Sequence, residues 1–133
     1  MAMTVVVVVS RSGLKTAMLL ADHLKCEIHG RFSECDLIVD DFKAHLNDLF
    51  KDKATIVFVG ALGILIRLLA SSIREKSAEG AVVVVAEDGT SVIPALGGHD
   101  GANELSLKLA DLLGIRAAIT TASDLHYNVA LDA

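Results

Sequence analysis

The chain has 133 residues, of which 53% are hydrophobic and 22% charged, with a formal charge of -5. That size is one ordinary domain, able to bury about two-thirds of the surface its unfolded form exposes, and the composition excludes disordered and fibrous classes. With 12 basic against 17 acidic residues, and Tyr127 and four Phe as the only aromatics, no basic stripe or stacking platform supports nucleic-acid binding.

The opening "MAMTVVVVVS" lacks a positive segment and a small-residue cleavage site. "GALGILIRLLASSI" is interrupted by Arg67 and is too short to span a bilayer, so a cytoplasmic protein without membrane contact is expected. Residues 4–9, "TVVVVV", form a β-branched run between polar residues and predict a strand buried on both faces. "SGLKTAMLLADHL" then turns helical, with Leu14, Met18, Ala21 and Leu24 predicted inward.

The alternation continues through strands "CEIH" and "CDLIV", helix "DFKAHLNDLF", strand "ATIVFVG", helix "LGILIRLLASSI", strands "AVVVVAE" and "SVIPA", helix "GANELSLKLADLLG" and strand "RAAITT". Strands alternating with helices predict right-handed βαβ units, hence a doubly wound, mostly parallel α/β sheet of Rossmann-like type with helices on both faces. The expectation is a single domain over residues 1–133, with two small lobes divided near residue 78 as a variant. Cys26 and Cys35 fit a reducing compartment, and as half-buried strand residues they lack the fourth ligand that a zinc site with His29 would need.

Ligands of such sheets sit beyond C-terminal strand ends, where glycine-rich turns enter helices. Three junctions are expected to form that edge: "SRSGLK", "VGALGILIR" and "LGGHDGANEL". A lone Gly13 at the first, and no Walker lysine anywhere, weaken dinucleotide and nucleoside triphosphate readings.

At the third junction Gly97, Gly98 and Gly101 allow a tight turn whose N–H groups face an anion at a helix start. His99 offers an acid or base near neutral pH, Asn103 an amide and Glu104 a carboxylate. Singly, Asp100 serves as a cap, Glu104 offsets the helix dipole and His99 packs in a turn; together they define the candidate site. Gly114 is the expected helix stop.

The nearly all-apolar "GALGILIRLLASSI" predicts a helix buried on most sides, which makes Arg67 either a clamp on a substrate carboxylate or half of a structural ion pair. In "TTASD", Thr120, Thr121, Ser123 and Asp124 bind a polar ligand or build a turn. His23, His29, His45 and His126 have no polar constellation around them in the sequence.

These stretches carry a resemblance. "GALGILIR" (60–67), "VVVVAEDGTSVIPALGGHDGANEL" (82–105) and "ITTASD" (119–124), in this order, resemble the CbiG family of cobalamin (vitamin B12) biosynthesis. Its members open a lactone ring on the corrin precursor cobalt-precorrin-5A and release acetaldehyde. In the family's hydrolases a second glycine precedes the Ala-Asn pair, whereas here His99 is followed by Asp100, Gly101, Ala102 and Asn103, one residue shorter. The shortened "GGHDGAN", with "AEDG" upstream and "DLHYNVALD" at the end, is more similar to the CbiG-type N-terminal domain fused to precorrin-3B C17-methyltransferases.

The resemblance implies a precorrin or cobalt-precorrin substrate, with cobalt belonging to that substrate and S-adenosylmethionine only to a methyltransferase domain outside this chain, which would be a piece of a longer protein. Chemistry and position, with the resemblance supplying only the motif, make His99 the expected general base and Glu104 its orienter or a second acid/base group. Arg67, Asn103, the glycine-rich helix starts at Gly60, Gly63, Gly97, Gly98 and Gly101, and Thr120, Thr121 and Asp124 hold substrate. The rivals are a non-catalytic accessory module and a nucleotide-binding α/β domain.

Overall fold

The structure, a computed structural model, describes residues 3–73 and 80–121. Its elements are β1 (Thr4–Val8), α1 (Leu14–Leu24), β2 (Glu27–Gly30), β3 (Leu37–Ile38), α2 (Phe42–Lys51), β4 (Thr55–Val59), α3 (Leu62–Leu69), β5 (Val82–Val85), β6 (Val92–Leu96) and α4 (Ala102–Leu113). One sheet holds the strands in the order β3-β2-β1-β4-β5-β6. Every neighbouring pair is parallel except β5 and β6, which are antiparallel.

Strand alternation sorts the valines into two cores. Val6 and Val8 of β1, with Val57, Val59, Val83 and Val85, face α1 and α4. Val5 and Val7, with Ile56, Phe58, Val82 and Val84, face α2 and α3. Central strands covered on both faces must be apolar on both, which is why the runs read as continuous valine. The doubly wound architecture is the one the βαβ alternation predicts, and β4 and β5 pair directly across residue 78.

Three local expectations change. On α1 the buried stripe is Leu14, Ala17, Leu20 and Ala21, while Met18 is exposed. The helix of residues 62–73 closes at Leu69 and buries only Leu65 and Leu69, leaving Ile64 (42%), Ile66 (46%) and Arg67 exposed. Finally, "RAAITT" contributes one parallel bridge, Ala117 to Val92, with Ala118 N–H donating to Val92 O at 2.9 Å. Two residues farther along that edge stands Pro94, which has no N–H with which to continue the ladder.

A polar chain crosses from β2 to α2. His29 is buried, and its Nδ1 lies 2.7 Å from His45 Nε2 while its Nε2 lies 3.0 Å from Glu27 Oε1. With Nε2–H donating to the carboxylate, Nδ1 accepts and His45 supplies the proton. Burial first, then His29, lowers the His45 pKa below 6.5, against a smaller opposing effect of Asp48.

A histidine whose folded pKa is depressed binds fewer protons than its unfolded form just below pH 6.5, so stability is full above that pH and falls as pH drops beneath it. Urea unfolding from pH 7.5 to 5.5 should show that decline, and His45→Gln, which keeps a donor for His29, should flatten it. His45→Ala, which leaves a buried acceptor unpaired, should cost about 1–3 kcal/mol at pH 7.5.

Candidate functional site

The direction of β6 decides where the candidate residues lie. Val8, Val59 and Val85 stand in register at the C-terminal edge of the parallel strands, and Val85 pairs with Val92 at the start of β6. β6 then runs back, so Leu96 pairs with Val82 and the "GGHDG" turn emerges at the opposite edge. At about 3.3 Å per residue the five residues of β1 separate the edges by roughly 13 Å.

The three glycine-rich junctions therefore do not share one edge, contrary to the expectation from the sequence. Gly60 and Gly63 belong to the C-terminal edge at the start of α3. Arg67 follows on α3, whose buried residues pack on the face of the sheet opposite α4. Its guanidinium is exposed, so the burial argument for an obligatory partner does not apply.

The second group converges. Gly97 takes a left-handed conformation (φ 67°), and Gly98–Asp100 form a 3-10 turn closed by Asp100 N–H donating to Gly97 O at 2.9 Å. α4 starts from Gly101 (φ 113°), which holds the N-cap position expected of Asp100, and Gly114 stops it as predicted. His99, Asp100 and Glu104 are exposed at this helix start.

Asn103 is buried at 9% exposure and its Nδ2 donates to Thr121 Oγ1 at 2.8 Å. That bond ties the segment after Ala117 to the loop, with Gly98 packed beneath the Asn103 amide and Thr121. Asn103 thus spends a donor on holding the two motifs together. Thr120 is exposed beside Thr121, and Asp124 lies outside the described residues.

Next to this loop, Thr4, Thr55, Gly101, Glu104, Leu105 and Lys108 line a cleft of about 510 Å³. Among the described residues no group of three His, Cys, Asp or Glu side chains is placed to share a metal ion.

Sequence reasoning passed over a cluster at the other edge. Ser10 and Ser12 hydroxyls both donate to Glu87 Oε2, and Thr16 Oγ1 donates to the Glu87 carbonyl at 2.6 Å. The Ser10 and then the Ser12 hydrogen bond hold the Glu87 carboxyl below the usual carboxylate range. In sheets of this strand order the turn after β1 receives a dinucleotide pyrophosphate. Here Glu87 lies over Gly13 at that turn, with an ideal Gly13 Cβ only 3.3 Å from Glu87 Cγ, so a fixed negative charge already occupies the ground. The visible signals were "SRSG" and "AEDG".

The family described as cobalamin synthesis G N-terminal matches residues 44–124. The cobalt-precorrin-5A hydrolase of Salmonella typhimurium is 44% identical over 84 residues, covering 62% of this chain and 24% of that protein. The cobalt-precorrin-5A hydrolase of Priestia megaterium is 36% identical over 88 residues, covering 65% and 24%. The chain thus spans about a quarter of the length of these curated relatives. A solved structure described as a cobalamin biosynthesis protein G homolog from Sulfolobus solfataricus superposes with a TM-score of 0.66 at 21% identity, over 89% of this chain and 36% of that one, and shows the fold. Both curated relatives are named hydrolases, which favours the hydrolase branch of the resemblance over the methyltransferase-fused one.

The loop geometry gives a paired prediction. A Cβ at Gly97 would sit 2.6 Å from Gly80 O in a left-handed backbone, so Gly97→Ala should cost about 2 kcal/mol, read as a melting temperature roughly 5–8 °C lower. Gly63→Ala, inside a helix with nothing within 4 Å of the new methyl, should instead stabilise by up to about 1 kcal/mol.

Proposed function

The chain belongs to the cobalamin synthesis G N-terminal family, and from that footing we propose that it is a CbiG-like domain that binds a cobalt-precorrin and assists hydrolytic opening of its lactone, with release of acetaldehyde. The observation that carries this reading is the convergence of "GGHDGAN" and "ITT" at the start of α4, fastened by the Asn103–Thr121 hydrogen bond beside a cleft that Glu104 lines.

In this reading water attacks the lactone carbonyl while His99 takes a proton from it. The ring C–O bond breaks and the freed oxygen is protonated. In the fragmentation that follows, the hydroxyl proton of the released arm is removed, its carbon–carbon bond breaks to give acetaldehyde, and the electron pair left on the macrocycle is protonated. Each step moves protons, which suits the exposed His99 imidazole, with the Glu104 carboxylate in the first turn of α4 as orienter or second acid/base group. The backbone at the head of α4 favours negative charge on the substrate. Cobalt travels with the substrate, and a hydrolytic step has no use for S-adenosylmethionine.

No described helix is long and apolar enough to cross a membrane. The nucleotide rival has against it the Glu87 carboxylate over the first turn.

Anaerobic incubation of the purified chain with cobalt-precorrin-5A should release acetaldehyde, and His99→Ala should lower kcat by about 10²–10⁴-fold. Equal release by wild type and variant would move the chemistry away from this loop. Saturable substrate binding without release would leave an accessory binding module.

A further inference from the structure

We propose that Lys108 is a substrate-binding residue, and that the cleft between α4 and the beginnings of β1 and β4 receives a carboxylate arm of the macrocycle. The inference rests on the reading above that the substrate is a carboxylated corrin precursor.

Thr4 and Thr55 are register partners at the first positions of β1 and β4, and both are half-buried. Opposite them stand Gly101 at the N-cap of α4 and Glu104, Leu105 and Lys108 on it, and between lies an open cleft of about 510 Å³. Among the described residues Thr4, Thr55, Glu104 and Lys108 make no side-chain hydrogen bond or ion pair, so their donors and acceptors are available to a ligand. The opposite edge differs in this respect, since Ser10, Ser12 and Glu87 are spent on one another.

The charges are ordered along the helix. Glu104 stands in its first turn and Lys108 four residues on, about 6 Å along the axis at 1.5 Å per residue. A ligand carrying a carboxylate about that far from a reacting carbonyl places the anion on the ammonium and the carbonyl beside Glu104 and the His99 loop. The threonine hydroxyls add donors for the same carboxylate, and Leu105 gives the arm an apolar wall. A free monocarboxylate would gain only the Lys108 end; a macrocycle with several acidic arms would also engage the start of α4.

Fluorescence titration with uroporphyrin, an octacarboxylate tetrapyrrole, tests this in the intact chain without requiring turnover. Wild type should bind saturably, Lys108→Gln should bind about tenfold more weakly, and Lys108→Arg should recover most of the loss. Lys43→Gln, at the far edge of the sheet, should bind as wild type does. The loss in Lys108→Gln should shrink as salt is raised, because the lost contact is charged and exposed. Equal binding by Lys108→Gln and wild type, or no saturable binding by wild type, would overturn the inference. Acetaldehyde release judges the hydrolase reading separately. Binding through Lys108 without release keeps the site and rejects catalysis, whereas release with an unchanged KM in Lys108→Gln keeps catalysis and rejects the site.

Discussion

Only residues 86–91 join β5 to β6, and a connection so short cannot hold a crossover helix. The chain must reverse there. Gly89 (φ 75°) makes the bend, its N–H donating to Ala86 O, while Ala86 N–H donates to Ser91 O and closes the hairpin. Asp88 Oδ1 accepts from both the Thr90 N–H and the Thr90 hydroxyl, which fixes the turn from within. Because of that reversal the last strand delivers "GGHDG" to the edge where the parallel strands begin. α4 must then climb the sheet in the direction opposite to α1, bringing Leu113 back over Gly89.

The same hairpin carries Glu87 to the end of β1. Its carboxylate receives Ser10 and Ser12, and its carbonyl receives Thr16, so the turn of one hairpin and the first βα junction are stitched into one unit. A sheet in this order ordinarily keeps its switch-point crevice for a ligand's negative charge, held on helix-start N–H groups. Here the protein supplies the anion from its own side chain. In the function proposed above, the chemistry lies instead at the edge where α4 starts.

Much of the architecture was legible because valine runs flanked by polar residues, separated by amphipathic stretches, admit few solutions other than a covered parallel sheet. The reversal was legible as well: "AEDGTS" sets Asp-Gly between two apolar runs, a strong hairpin signal, and treating "SVIPA" as one more parallel strand overlooked it. Arg67 misled for a different reason. Composition reports that a helix is apolar but not how much sheet is available to cover it, and an eight-residue α3 beside α2 meets cover on one stripe only. The histidine chain was invisible because His29 and His45 are brought together by the packing of α2 on β2, which no local pattern encodes.

The glycines show how far a motif can be read as chemistry. A Cβ at Gly60 would lie 2.9 Å from the Phe58 ring, and one at Gly98 would lie 3.2 Å from Asn103 Oδ1. Those two glycines are explained by packing inside the chain, and Gly97 by its backbone and the nearby Gly80 carbonyl. None of the three needs a ligand to account for it. At Gly101 the left-handed φ alone demands glycine, and no described residue comes within 4 Å of where its Cβ would be. Gly63 at the start of α3 is equally uncrowded, but it is Gly101 that borders a cleft, which Glu104 and Lys108 line together with Thr4, Thr55 and Leu105. A carboxylate in the first turn of α4 and an ammonium one turn further along it make a polar pair suited to a substrate bearing both an acidic arm and a reacting carbonyl.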